Sequence, residues 1–115
     1  MKKEFILYEQ ALALKKLGFD NPCFFSYNIW NTEKLNDSYY NYINHNQITD
    51  LVSAPLYQQA FAFLLNLLPN VSIQYFNDGS GNLKTIGEGV FFDFNNRKEC
   101  LIELINQARL NKNYK

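Results

Sequence analysis

Apolar residues recur along this chain with a period that switches between that of a helix and that of a strand. In YEQALALKKL, Leu7, Ala11 and Leu14 fall at i, i+4 and i+7 among strong helix formers, which predicts a helix over residues 8–17. Glu9 near its start and Lys15 and Lys16 near its end suit the helix dipole. Gly18 fits a left-handed cap, with Phe19 as the apolar contact after it. Asp20-Asn21-Pro22 then forces a turn.

The next block, CFFSYNIW at 23–30, is rich in strand formers. Alternation puts Cys23, Phe25, Tyr27 and Ile29 on one face and Phe24, Ser26, Asn28 and Trp30 on the other. Residues 31–37 are polar and read as a hairpin connection to a second strand at 38–43, where Tyr40 and Tyr42 lie opposite Tyr39 and Ile43. Residues 45–51 read as loop.

A second helix is expected to start around Ser53-Ala54-Pro55 and to end at 68, before Pro69. Leu56, Ala60, Phe63, Leu64 and Leu67 make one stripe, and Tyr57, Phe61, Leu65 and Leu68 a neighbouring one. A helix apolar over most of its circumference is buried on several sides, so this segment is expected at the centre of the core. VSIQYF at 71–76 alternates, residues 77–82 (NDGSGN) form a turn, and 83–94 resumes extended structure with a bend at Gly87 and Gly89. The pair reads as an antiparallel hairpin. A last helix over 97–110 has Asn96 as N-cap, Glu99 in capping-box position, and Leu101, Leu104, Ile105 and Ala108 on its inner face, with a tail that frays. The order α-β-β-α-β-β-α predicts an α+β fold over residues 1–115: one domain, with a single antiparallel sheet of about four strands and three helices.

The composition supports a folded chain: 115 residues, 47% apolar, with 18 of the 19 aromatics Phe or Tyr. Eleven basic residues balance 11 acidic ones, which weighs against broad gripping of nucleic-acid phosphates. The 16 asparagines are explained by an AT-rich coding sequence and by turns and caps more simply than by a dedicated binding surface. No secretory signal and no apolar run long enough to span a bilayer are read, so a cytoplasmic protein with Cys23 and Cys100 as free, buried thiols is expected.

Candidate chemistry is sparse. His45, the one histidine, sits in a polar segment and reads as an exposed loop residue. A Cys23–His45 or Cys100–His45 nucleophile pair lacks any local signature. Cys23, His45 and Cys100 are too scattered for a zinc site, and Asp78, Glu88 and Asp93 read as solvated strand ends rather than magnesium ligands. DGSGN lacks the continuation of a phosphate loop and is read as a hairpin turn. No cofactor and no metal are expected. The suggestive feature is the aromatic block from 24 to 42, because tyrosine and tryptophan offer large contact area with a polar handle.

The segments YEQALALKKLGFDNPCF, from Tyr8 to Phe24, and APLYQQAF, from Ala54 to Phe61, resemble a set of small phage and prophage proteins of Bacteroidota type. The shared pattern is a first helix ending in LGF, a D-x-P-C-F turn into a strand, an APLYQQAF helix start and a closing helix. No activity or catalytic residue is attached to that group. The resemblance therefore implies context alone: a small protein of a phage or mobile element, made in the host cytoplasm.

The expected function is a non-catalytic accessory binding protein that engages a host protein or a small signalling nucleotide, blunting a host defence, through Tyr27, Trp30, Tyr40 and Tyr42. The alternatives are a structural or assembly protein forming a homo-oligomer or virion part, and a small nucleotide-modifying enzyme. No membrane partner is expected, and nucleic acid is disfavoured.

Overall fold

The computed structural model describes residues 5–37, 44–48 and 50–113. The α+β class holds: three helices and two antiparallel sheets of three strands each. The chain divides into two compact units, Met1–Ala60 and Phe61–Lys115.

The first unit begins with α1 (Tyr8–Lys16). Its end is a full Schellman cap: the Phe19 amide donates to the Leu14 carbonyl at 2.9 Å and the Gly18 amide to the Lys15 carbonyl at 3.0 Å. Gly18 takes a φ of +97°, the left-handed backbone that the absence of a Cβ makes cheap. The strands β1 (Phe25–Asn28), β2 (Asn31–Asp37) and β3 (Leu51–Ser53) form a sheet in the order β2-β1-β3. Residues 31–37, expected as a connection, are thus the partner strand of the hairpin. Their polar composition fits an edge strand, where one side meets solvent. The strand expected at 38–43 lies outside the described residues. β3 has three residues, too few for alternation to register, and falls between the segment expected as loop and the helix start expected at Ser53, which the structure moves to Tyr57. The core of this unit holds Phe5, Ile6, Ala11, Leu14, Phe19, Cys23, Val52 and Ala54.

The boundary between the units falls inside α2 (Tyr57–Leu67). Its exposed positions are Gln58, Ala62 and Asn66, one line at i, i+4 and i+8, while Tyr57, Ala60, Phe61 and Leu64 are buried. The two apolar stripes read from the sequence are thus turned inward over most of the helix.

In the second unit β4 (Val71–Tyr75), β5 (Gly81–Thr85) and β6 (Gly89–Phe94) make a meander with β5 central. The β4–β5 turn is a three-residue loop. The Phe76 amide donates to the Ser80 carbonyl at 2.8 Å, and Gly79 takes the left-handed position at φ +89°. Gly81 is required for a different reason: a Cβ there would collide with the Gln74 carbonyl and lie 2.6 Å from the Phe94 ring. That ring covers the glycine and meets Tyr75 edge-on, with centroids 6.3 Å apart. The register slips between Leu83 and Lys84, where Phe91 is the extra residue on β6, while the bend expected at Gly87 and Gly89 is the β5–β6 turn itself. α3 (Arg97–Asn113) closes the unit. Asn96 Oδ1 accepts from the Glu99 amide at 3.0 Å, and Glu99 Oε1 accepts from the Asn95 amide at 2.9 Å. Leu83, Phe94, Cys100, Leu101, Leu104, Ile105 and Ala108 form its core.

The expected single four-stranded sheet is therefore corrected to two sheets, because each unit recruits a third strand that the sequence pattern did not resolve: β3 in one, and a separated β5 and β6 in the other.

Candidate interaction site

Trp30 stands at the tip of the β1–β2 hairpin and is 80% exposed. The pairing Asn28↔Asn31 leaves only Ile29 and Trp30 in the turn. Among the described residues none other than glycine has a positive φ, so the turn is made without left-handed backbone. Two bonds hold it. Asn28 Oδ1 accepts from the Trp30 amide at 2.9 Å, an Asx turn, and the Ile29 amide donates to the Asp50 carbonyl at 3.1 Å. Beyond Asn28↔Asn31 the next pair is Tyr27↔Leu35, so β2 carries extra residues that bend it away from a regular ladder.

The segment that receives the tip is braced in turn. The Leu51 amide donates to the Ile48 carbonyl at 3.1 Å, and the Lys15 ammonium at the end of α1 donates to the Leu51 carbonyl at 2.7 Å. Asn46 donates from Nδ2 to the Phe19 carbonyl at 2.9 Å and accepts on Oδ1 from the Ser53 amide at 2.7 Å. A folded platform thus presents three large apolar side chains to solvent: Trp30, Ile29 at 38% exposure and Ile48 at 44%.

Of the other expected contact residues, Tyr27 does not join it. Tyr27 is buried; its hydroxyl donates to the Ile6 carbonyl at 2.7 Å, and its ring meets Tyr8 edge-on at 5.9 Å. Burial, and secondarily the nearby Tyr57, push its hydroxyl pKa up. Tyr27 is therefore a packing residue of the first unit, and its expected place on a binding surface is corrected. Both faces of β1 are covered, since the successive residues Ser26 and Tyr27 are both buried, and strand alternation alone could not say so. Tyr40 and Tyr42 lie outside the described residues. Ile29 and Asn28, placed in a strand, and Lys15, placed at a helix end, join Ile48 in this platform, a role that those placements do not announce. The available signal was Asn28 at the first position of a tight turn, a placement that asparagine favours.

His45 also departs from expectation: it is buried at 2% exposure rather than solvated. Its Nε2 lies 2.9 Å from the Cys23 carbonyl. A carbonyl only accepts, so Nε2 carries the proton, and Nδ1 finds no partner among the described residues. The contact joins the ring to the backbone of Cys23 and not to its sulfur. Burial pushes the Cys23 thiol up to about 12, against a small opposing pull from the Ser53 hydroxyl. A thiol so protonated near neutral pH is a weak nucleophile. Cys100 in the second unit is likewise pushed up to about 12 by burial. Among the described residues no cluster of three or more His, Cys, Asp or Glu side chains is placed to hold a metal ion. No helix there is long and apolar enough to cross a membrane.

No protein-family model matches the chain, and no curated protein or solved structure shows significant similarity to it.

Proposed function

We propose that this chain is a non-catalytic binding protein of phage type that takes hold of a host protein, with Trp30 as the anchoring side chain. One observation carries the reading: a tryptophan 80% exposed on a hairpin tip tethered at both of its turn amides. Leaving an indole in water forgoes a burial term of roughly 2–3 kcal/mol, which a partner recovers. Tryptophan is also the residue type most enriched among binding hot spots. Because the tip is already ordered by Asn28 and Asp50, little entropy is lost when it docks. A ring standing clear of the surface suits insertion into a groove of another protein. A small nucleotide instead needs enclosure on several sides. The phage context rests on the resemblance of the YEQALALKKLGFDNPCF and APLYQQAF segments, and interference with a host defence is the role such an accessory protein would serve.

The chain has one tryptophan, so a chain labelled with 7-azatryptophan, excited apart from a partner's own tryptophans, reports on the proposed anchor alone. A host protein that co-purifies with the native chain is expected to shift Trp30 emission to the blue on binding. It is expected to bind at least tenfold more weakly to the Trp30→Ala variant, which melts at the native temperature. A partner held equally by Trp30→Ala, with unchanged emission, would refute the proposal. Quenching by mononucleotides with no protein partner would replace it with the nucleotide reading.

A further inference from the structure

A sheet edge left unprotected is an invitation to another strand, and natural edges are normally defended by charge, bulges, brevity or covering. The described residues offer four edges, and three are defended. β2 carries Glu33 and Lys34 and a break in its register. β3 is three residues long. β6 has a bulge, a glycine at φ +91° at its start and Asp93 near its end. The fourth, β4, has no charge, no bulge and no such brevity, and its outward main chain is hydrogen-bonded to no other strand among the described residues. Val71–Tyr75 reads VSIQY, without charge or proline, and pairs with β5 in unbroken register over five residues.

The backbone groups that β4 turns outward follow from the ladder. The Phe76 amide bonds the Ser80 carbonyl and the Ile86 amide bonds the Asn70 carbonyl. These bonds continue the register Val71↔Thr85 to Tyr75↔Gly81 at both ends. In an antiparallel pair the bonded residues alternate with residues whose amides and carbonyls point away. Asn70, Ser72, Gln74 and Phe76 therefore bond β5, while Val71, Ile73 and Tyr75 present their main chain to the open side. The Val71 amide is already given to the Leu68 carbonyl at 3.0 Å. That leaves the amides of Ile73 and Tyr75 and the carbonyls of Val71, Ile73 and Tyr75 for a partner strand.

We infer that this edge is a homodimer interface, in which β4 pairs antiparallel with β4 of a second copy about a two-fold axis at Ile73. The segment is complementary to itself in that register. Ile73 meets Ile73 of the second copy and exchanges two hydrogen bonds with it. Each Tyr75 amide donates to the opposite Val71 carbonyl, adding two more. No free amide is left facing another amide. Tyr75, 57% exposed, comes to lie against the second copy's Val71, an aromatic–β-branched cross-strand pair of the kind that stabilises sheets. On the other face Ser72 comes opposite Gln74, both exposed and uncharged, so no like charges are opposed. Any extended peptide offers the alternating main chain, but a second copy brings the Tyr75–Val71 pair to one face and the uncharged Ser72–Gln74 pair to the other by symmetry.

The two exposed polar positions supply the test. Ser72→Glu with Gln74→Glu sets carboxylate against carboxylate twice across the two-fold. Ser72→Glu with Gln74→Lys sets carboxylate against ammonium twice. Glutamate is chosen at 72 because Lys84 lies opposite it on β5, so neither pair of substitutions strains the fold. Sedimentation equilibrium should give the native chain twice its 13.5 kDa mass, the double-glutamate variant the single-chain mass, and the glutamate–lysine variant the doubled mass again. Amide exchange at Ile73 and Tyr75 should slow with rising protein concentration in the native chain and not in the double-glutamate variant. Circular dichroism confirms that each variant is folded. A native chain single up to millimolar concentration overturns the inference. So does a dimer that survives the double-glutamate change, or a glutamate–lysine variant that stays single. Protection of these two amides only when an extended peptide is added would give the edge to a foreign strand instead.

Discussion

Tyr27 and Trp30 are three residues apart on one hairpin, and their environments are opposite. The Tyr27 ring is enclosed and its hydroxyl satisfies the Ile6 carbonyl. Trp30 sits where the chain reverses and has no layer above it. The distinction matters for any mutational reading of the aromatic block, because loss of function at Tyr27 would report stability and not contact. Tyr27→Phe keeps the ring and removes only the donor, leaving a buried carbonyl unpaired. It should cost about 1–3 kcal/mol, seen as a lower urea midpoint at unchanged slope, while partner binding by the folded fraction stays native. A Tyr27→Phe chain as stable as the native one would mean that water reaches the Ile6 carbonyl.

At the scale of elements, two glycines are needed for unrelated reasons. Gly81 has ordinary backbone and no room for a side chain, whereas Gly18 has ample room and left-handed backbone. Gly18→Ala should therefore cost only the conformational term, about 1–2 kcal/mol, measured by urea denaturation. The Schellman bonds should persist, visible as retained exchange protection of the Phe19 amide. A cost near zero would show that the end of α1 can unwind freely. Gly18 was legible in the sequence because LGF followed by a proline turn is a local signal, and so were Asn96 with Glu99 and the turn around Gly79. In each case the deciding groups lie within a few residues of one another. β2 and β3 were not legible because their strand character comes from pairing with β1, a contact distant in sequence for β3 and between polar residues for β2. The buried state of His45 has the same origin. Its partner carbonyl is at Cys23, 22 positions earlier, and nothing local to His45 announces it. Of the expected site, Trp30 was legible as a large amphipathic ring near a turn. Its exposure depends on where β1 stops, which alternation placed two residues too late.

At the scale of the whole molecule, the two compact units share one helix, and each contains one buried thiol. Tyr57 and Ala60 belong to the first unit and Phe61 and Leu64 to the second, yet they are successive turns of α2. Cys23 reports on the first unit and Cys100 on the second, and both are sealed and held protonated in the native state. Alkylation at either site then requires opening of the unit that contains it, and its rate follows the open population when reclosing is fast. Ala62 lies on the exposed line of α2, so Ala62→Gly weakens the helix by about 1 kcal/mol without touching either core. That loss raises an open population about fivefold. If α2 forms or melts as one cooperative segment, the change cannot be confined to the unit in which residue 62 lies. Mass spectrometry of iodoacetamide-treated protein should then show Cys23 and Cys100 accelerated by the same factor. Acceleration at Cys100 alone would mean that the helix frays at the boundary and that the first unit holds its four residues of α2 independently.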